Sequence, residues 1–226
     1  MSRGNGRMQI FLDEIDYRKF FYLLSDVVDT YDVECLDFSA MPNHYHLALR
    51  NREPNLSRAM QHLNGEYAKW WNAAHVKVGH VLQGRFKAQI VQEDGYFLSL
   101  VRYIALNPVR AKLVDHPSAW PWSSYRCTVG LVPSPAFLSS GEVLRQFGDG
   151  DIRTLRERYV RHVLSLSEEE DVRAELFRSR ERILGDRNFK RAVLGLPPSP
   201  NERDASAATA HSASSNVAMN ASRAGV

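Results

Sequence analysis

The spacing of hydrophobic residues predicts alternating helices and strands in the first half of the chain. Apolar positions three or four residues apart predict amphipathic helices over 13–31, from residue 55 or 57 to about 74, and over 95–106, the last ended by Pro108. Alternation with a period of two predicts strands over 33–40 and 44–50, joined by a turn at 41–43, and a third strand over 81–92. We therefore predict an α+β fold, an antiparallel sheet with helices packed on it.

The second half of the chain has a different pattern. Prolines and glycines interrupt the periodicity over 132–150, and charged helical patterns follow over 152–166, 168–184 and 186–194. Prolines at 197 and 198 then precede a stretch with too little apolar surface to fold. We predict a domain over 1–131, a linker over 132–150, a helical module over 151–196 and a disordered tail over 197–226.

Composition narrows the classes of function. No window approaches the roughly 20 apolar residues of a membrane helix, and the polar residues 1–7 do not resemble a signal peptide, so we expect a cytoplasmic protein without a membrane partner. Two cysteines, Cys35 and Cys127, are too few for a disulfide framework or a four-cysteine zinc site. The net charge of +3 permits a nucleic-acid partner but does not by itself indicate one.

The predicted strand that begins at residue 44 carries the first candidate chemistry. His44 and His46 fall on one face of this strand, and Tyr45 falls on the other. The two imidazoles are about 6.6 Å apart along the strand, close enough to converge on one divalent cation. The alternative is a half-exposed strand with two polar residues, because so short a pattern often occurs without a function.

The predicted helix over 95–106 carries the second candidate group. Tyr103 and Asn107 lie one helical turn apart and share a face. An aligned phenol can form a covalent intermediate, and an amide carbonyl can complete the ligand set of a metal. The alternatives are a core tyrosine and an asparagine that ends a helix before Pro108. Tyr96 is a rival nucleophile on the same stripe, but it lies about 16 Å from Asn107 by helical rise.

Six short runs occur in order between residues 2 and 126. They are Ser-Arg-Gly-Asn at 2–5, Met-Pro-Asn-His-Tyr-His at 41–46, Asn-Leu-Ser-Arg at 55–58, Gln-Gly-Arg-Phe-Lys at 83–87, Tyr-Ile-Ala-Leu-Asn-Pro-Val-Arg-Ala at 103–111 and Trp-Pro-Trp-Ser-Ser-Tyr at 120–125. Through these runs the chain resembles the single-tyrosine HUH transposases, and among them the REP-associated tyrosine transposase group. Six ordered runs are far more specific than one His-x-His pair.

The resemblance implies a fold and roles for named residues. The fold is that of an HUH endonuclease, a ferredoxin-like or RRM-like sheet with helices packed on it. His44 and His46 match the metal-binding pair of the family, and Tyr103 matches its nucleophile. Asn107 stands where related enzymes place an amide ligand.

The resemblance also implies a reaction. The cofactor it implies is Mg²⁺ or Mn²⁺, and the substrate it implies is single-stranded DNA beside a hairpin, such as a REP-like repeat. Zinc would find only two good ligands here. Cleavage passes through a 5′-phosphotyrosine, leaves a free 3′-hydroxyl and is followed by rejoining to another end. The implied protein is a metal-dependent endonuclease and strand transferase of DNA transposition and recombination.

Basic and aromatic residues near the runs are candidate DNA contacts. The candidate phosphate contacts are Arg3, Arg7, Arg85, Lys87 and Arg110, with Lys112 beside them, and the candidates for base stacking are Trp70, Trp71 and Phe86. Arg85 and Lys87 share one face of a predicted strand, against the alternative of an ordinary solvated face. Phe86, between them, is more simply the buried member of that strand.

Members of the family begin with a further strand before the run at 2–5, where this chain begins. We expect a sheet that lacks one strand and leaves an edge unpaired, explained by a start codon assigned too far downstream. A non-catalytic DNA-binding protein or repressor at hairpin repeats is one alternative function, and an RNA-binding or structural protein is another. Some relatives are dimers that exchange the tyrosine helix, so a homodimer stays open.

Overall fold

The computed structural model describes residues 1–93, 95–165, 177, 181–197 and 217–219. The strands are β1 (Ser2–Arg3), β2 (Val33–Met41), β3 (His44–Asn51), β4 (Gln89–Val91), β5 (Ile183–Leu184) and β6 (Val217–Met219). The helices are α1 (Glu14–Tyr31), α2 (Leu56–Ala74), α3 (Gly95–Arg110), α4 (Tyr125–Thr128), α5 (Ser140–Arg145), α6 (Ile152–Leu164) and α7 (Arg187–Val193), with 3₁₀ turns at Asn5–Arg7 and Pro117–Ala119. The predicted α+β class is confirmed.

Strand β3 is the centre of the sheet. Its whole length pairs antiparallel with β2 on one edge. On the other edge β1 lies opposite His44 and Tyr45, and the backbone of β6 lies opposite Ala48–Arg50. The prediction of an unpaired edge is therefore wrong at these residues of β3, because β1 and β6 each pair with part of that edge. Strand β6 also pairs with β4, which in turn pairs with β5 in parallel.

Helices pack on both faces of this sheet because β3 alternates its side chains. Tyr45, Leu47 and Leu49 enter one core, together with apolar residues of α1 and α2. Ala48 enters a second core, which is formed by α3, α5 and α6. Residues 138–163, part of which was predicted as a linker, thus contribute to the same packing as the rest of the chain. No described helix is long and apolar enough to span a membrane.

Helix α1 begins where the sequence predicts. The Asp13 carboxylate accepts hydrogen bonds from the backbone N–H groups of Ile15 and Asp16, at 2.9 and 3.1 Å. These bonds satisfy donors that have no partner inside the helix.

Helix α3 extends through Pro108 to Arg110, so the predicted end at Pro108 is wrong. Proline removes one backbone donor, but the turn continues because Ala111 N–H donates to the Asn107 carbonyl and Leu113 N–H donates to the Pro108 carbonyl. The Pro108 ring is buried, and its packing offsets the lost bond.

The strand predicted over 81–92 is shorter in the structure. Only β4 is a regular strand, and residues 81–87 run irregularly beside β1. Gln83 N–H donates to the Arg3 carbonyl at 2.8 Å, and Lys87 N–H donates to the Met1 carbonyl at 3.0 Å. Gly84, between them, has a φ of 141°, which interrupts a strand ladder.

The helical patterns near the C-terminus have mixed outcomes. The helix predicted over 186–194 is confirmed by α7, whose first turn is capped by the Asp186 carboxylate. The helix predicted over 168–184 is wrong at residues 183 and 184, which form β5 because their backbone pairs with β4. Its residues 168–176 and 178–180 lie outside the described residues. Of the tail predicted over 197–226, the structure describes only residue 197 and the backbone of β6.

A bulge in β2 buries a carboxylate between the sheet and α6. The register shifts between Cys35 and Asp37, so Asp37 lies close to Tyr159, where its charge helps to raise the pKa of that phenol. The Ser124 hydroxyl donates to the Asp37 carboxylate. Burial raises the pKa of Asp37 to about 7, although the hydrogen bonds from Ser124 and the Phe38 backbone oppose the shift.

We expect Asp37→Asn to change how stability depends on pH. Because the pKa of Asp37 is higher in the folded state than in the unfolded state, the wild type loses stability as the pH rises from about 4 to 7. The stability advantage of the variant should therefore be larger at pH 8 than at pH 5, by on the order of 2–3 kcal/mol in urea denaturation. The control Asp29→Asn, at an exposed position of α1, should show no such increase. An advantage of Asp37→Asn that is equal at both pH values would contradict this account.

Candidate functional site

Three side chains from two segments meet on the face of β3 that is covered by α3. The ring centres of His44 and His46 are 5.0 Å apart, with the planes at 81°. The ring of Tyr103 contacts that of His46 edge to face, with centres 5.5 Å apart. His46 is 1% exposed and Tyr103 is 4% exposed, so both belong to the packed interior. The structure therefore brings the predicted histidine pair and the predicted tyrosine together.

Asn107 lies one turn beyond Tyr103 on the same face of α3. Its Nδ2 donates to the Tyr103 carbonyl at 3.4 Å, which holds the side chain along the helix. Because the amide nitrogen faces the helix backbone, Oδ1 is the atom of Asn107 that is able to bind a cation.

The electrostatic environment keeps His44 neutral. Burial lowers the pKa of His44 to about 3, and the positive charges of Arg3 and the Met1 α-amino group add to the shift. Its Nδ1 lies 2.6 Å from the Asn43 Oδ1, an oxygen that only accepts, so Nδ1 carries the proton. This leaves Nε2 as the basic nitrogen, and a neutral imidazole with an oriented second nitrogen is the form that binds metal ions.

The histidine pair has suitable spacing for a shared divalent ion. Two imidazoles that ligate one ion at about 2.1 Å have ring centres roughly 4.5–5.5 Å apart, which agrees with the 5.0 Å observed. Within the described ranges, no group of three or more His, Cys, Asp or Glu residues is placed to hold a metal. The predicted set of two imidazoles and the Asn107 amide would suit Mn²⁺ better than Mg²⁺.

Positive charges lie beside the tyrosine. The guanidinium carbon of Arg110 is 5.7 Å from the centre of the Tyr103 ring, within the range of a cation–π contact. Arg3 also interacts electrostatically with Tyr103, while burial and the nearby Arg7 lower the pKa of Arg3. The buried rings of the site therefore have cationic groups beside them.

The remaining predicted DNA contacts lie on the segment beside β1. Arg85 and Lys87 are exposed, and with Arg3 they line a hollow of about 180 Å³. Phe86 is half-buried between them and packs against the core below α2, although this segment is irregular and not the predicted strand. Of the two adjacent tryptophans, Trp71 is buried and Trp70 is only partly so.

Sequence reasoning missed two neighbours of the site. Phe177 is buried against Tyr103, with ring centres 5.4 Å apart, but it comes from a charged C-terminal stretch that gives no signal of this contact. Asn43 orients His44, and its position inside the run at 41–46, directly before His44, was a signal in the sequence for this contact. Tyr96, the rival nucleophile, packs against the core on the first turn of α3.

Comparison with known proteins gives one match. The family model described as "Transposase IS200 like" matches residues 1–107, a range that contains both histidines, Tyr103 and Asn107. No curated protein and no solved structure matches the chain.

We expect Mn²⁺ to stabilise the folded protein through the histidine pair. An ion that binds only the folded state adds about 2.7 kcal/mol at a concentration of 100 times its Kd, which raises the Tm by several degrees. His44→Ala should lose this shift in thermal denaturation with and without MnCl₂. The control His62→Ala removes a partly exposed histidine of α2 and should keep it. An equal Mn²⁺ shift in wild type and His44→Ala would rule out this ligand.

Proposed function

Through residues 1–107 the chain belongs to the IS200-like transposase family, and from this premise we propose that it cleaves and rejoins single-stranded DNA beside a hairpin. The family match supports a transposase role. The finer proposal depends on one observation, the contact of Tyr103 with His46, whose ring lies beside that of His44. The six ordered runs favour the REP-associated group, whose hairpin repeats are the DNA partner we propose.

Tyr103 supplies the nucleophile in this reaction. Its phenolic oxygen forms a bond to the phosphorus of the scissile phosphodiester while the bond from phosphorus to the 3′ oxygen breaks. The phenol gives up its proton, and the departing oxygen takes one up to become a 3′-hydroxyl. The 5′ end stays on Tyr103 as a phosphotyrosine, which conserves the energy of the broken bond. Attack by another 3′-hydroxyl then rejoins the strand and restores the phenol without ATP.

His44, His46 and Oδ1 of Asn107 are the groups that would hold Mg²⁺ or Mn²⁺. A divalent ion bound by them would neutralise charge on a non-bridging oxygen of the scissile phosphate. His44 is neutral and oriented by Asn43 before any ion binds. Arg3 and Arg110 add positive charge next to Tyr103, which favours the approach of the phosphate.

One observation favours the non-catalytic alternative, a DNA-binding protein or repressor at hairpin repeats. Tyr103 is 4% exposed and Phe177 covers part of its ring, so a phosphate reaches the phenol only if neighbouring side chains move. A protein that binds hairpins without cutting them would not need this movement. Detection of a covalent adduct separates the two functions.

We expect Tyr103→Phe to abolish covalent attachment of DNA. The wild type, incubated with a hairpin-bearing single strand and Mn²⁺, should give a protein–DNA adduct that survives denaturing electrophoresis. The variant lacks the oxygen that bonds to phosphorus and should give none, while Tyr96→Phe, which changes the same group on the same helix, should give the wild-type amount. An adduct that persists in Tyr103→Phe would overturn the assignment of the nucleophile.

We expect the double variant Arg85→Ala/Lys87→Ala to bind single-stranded DNA more weakly and with less dependence on salt. Each phosphate contact to a single strand contributes about 0.7 to the slope of log K against log salt, so the loss of two contacts lowers the slope by about 1.4. Fluorescence anisotropy at several NaCl concentrations measures this slope. Arg18→Ala, which removes an exposed arginine of α1, is the control and should leave the slope unchanged. A double variant with the wild-type slope would exclude both residues as phosphate contacts.

A further inference from the structure

A cavity of about 610 Å³ lies between α2 and the segment that returns from it to β4. One wall is a stripe of α2 that includes Met60, Gly65 and Ala68, and the opposite wall is formed by residues 79–86. The volume is within the range of about 300–1,000 Å³ that is usual for small-molecule sites. Arg85 and Phe86 in this wall are candidate DNA contacts, but the cavity itself has no part in the metal site or the proposed reaction.

The lining of the cavity suits a flat aromatic ligand. The lining includes the apolar side chains of Met60, which is almost fully buried, and Ala68, and the half-buried ring of Phe86 stands on the opposite wall. Gln61 and His80 add exposed polar groups at the edge. A nucleobase has apolar faces and polar edges, so it matches an apolar cavity that contains one aromatic ring and a few hydrogen-bonding groups.

The wall of the cavity is fixed to the strand that carries the histidines. Asn64, on the same stripe of α2, donates to the Ser2 Oγ at 2.9 Å and accepts from the Tyr45 hydroxyl at 2.5 Å. Tyr45 stands between His44 and His46 in β3 and points to the opposite face. The cavity is therefore held at a constant position relative to the candidate metal site.

A cationic path connects the cavity to that site. Gly84 and Arg85 line both the cavity and the smaller hollow that is also lined by Arg3 and Lys87. Arg3 in turn lies opposite His44 in the sheet. The phosphates of a strand that reaches the histidines would pass these side chains, which places one of its bases beside the cavity.

The turn that precedes the wall formed by residues 79–86 has two unusual features. Val76 has a φ of 51°, a left-handed conformation that a β-branched residue adopts only under strain. Val78, two residues later, is 99% exposed. Strained backbone and a fully exposed apolar side chain are both typical of segments that contact a ligand.

We propose that the cavity between α2 and residues 79–86 binds an unpaired base of the single-stranded DNA substrate. This inference rests on the proposed function for its ligand, and it adds a subsite to it. Phe86 contacts a face of the base, and Arg85 contacts the adjoining phosphate. The site selects unpaired over paired DNA, because a base in a duplex is stacked and cannot enter a cavity.

Filling the cavity from Gly65 tests this proposal. Gly65 lines the cavity, and a Cβ added there would meet no atom within 4 Å, so the start of a larger side chain has open space at this position. Leucine also has the higher helix propensity, so the Tm of the Gly65→Leu variant should equal or exceed that of the wild type. Ala73→Leu, an exposed position near the end of α2, makes a similar change outside the cavity and is the matched control.

The measurement compares two strands of equal charge in EDTA, so that no cleavage occurs. One is a 12-mer of thymidylate and the other is a 12-mer of tetrahydrofuran abasic units. The wild type and Ala73→Leu should bind the thymidylate strand more tightly, by about fivefold or more, which corresponds to the stacking of one base. Gly65→Leu should reduce this ratio by about fivefold or more while its affinity for the abasic strand stays unchanged.

Two results would overturn the proposal: equal affinity of the wild type for the two strands, or an undiminished ratio in Gly65→Leu. The failure of this inference can be told apart from the failure of the proposed function. Adduct formation without a preference for bases would leave the transposase reaction intact and remove the base site. A preference for bases that depends on Gly65, without any adduct, would leave the site intact and remove the catalytic reaction.

Discussion

The alternation of side chains along β3 is the constraint on which the rest of the structure depends. Tyr45, Leu47 and Leu49 must enter the core below α1 and α2, and this fixes which face His44 and His46 occupy. A shift of one residue in the pairing with β2 would place both histidines in the apolar core and Tyr45 beside α3. The register that buries the apolar residues is therefore the same register that presents the histidine pair to Tyr103.

Local patterns were sufficient to predict this arrangement in part. The period of two over 44–50 predicted the shared face of the histidines, and helical spacing placed Tyr103 and Asn107 together. The meeting of the two segments came from the resemblance, because spacing alone does not say which helix covers which strand. Contacts from distant parts of the chain were not predictable: Phe177 lies 74 positions beyond Tyr103 in the sequence and packs against its ring.

The errors in the predicted elements have identifiable physical causes. Gly84 breaks the strand predicted over 81–92, and this leaves an irregular segment whose backbone bonds to β1. That irregularity positions Arg85 and Lys87 near Arg3, and it opens the cavity beside α2. Pro108 did not end α3, because tertiary packing of a buried ring outweighed the local preference. A local glycine thus decided the first difference, and long-range packing decided the second.

Location of the covalent bond is the most direct test of the central claim, that Tyr103 attacks DNA beside the histidine pair. Trypsin cleaves after Arg102, so it places Tyr96 and Tyr103 on different peptides. After incubation with a hairpin-bearing single strand and Mn²⁺, then nuclease and trypsin digestion, mass spectrometry should find a 5′-linked nucleotide on the peptide Tyr103–Arg110. A nucleotide on any other peptide, or on none, would contradict the account.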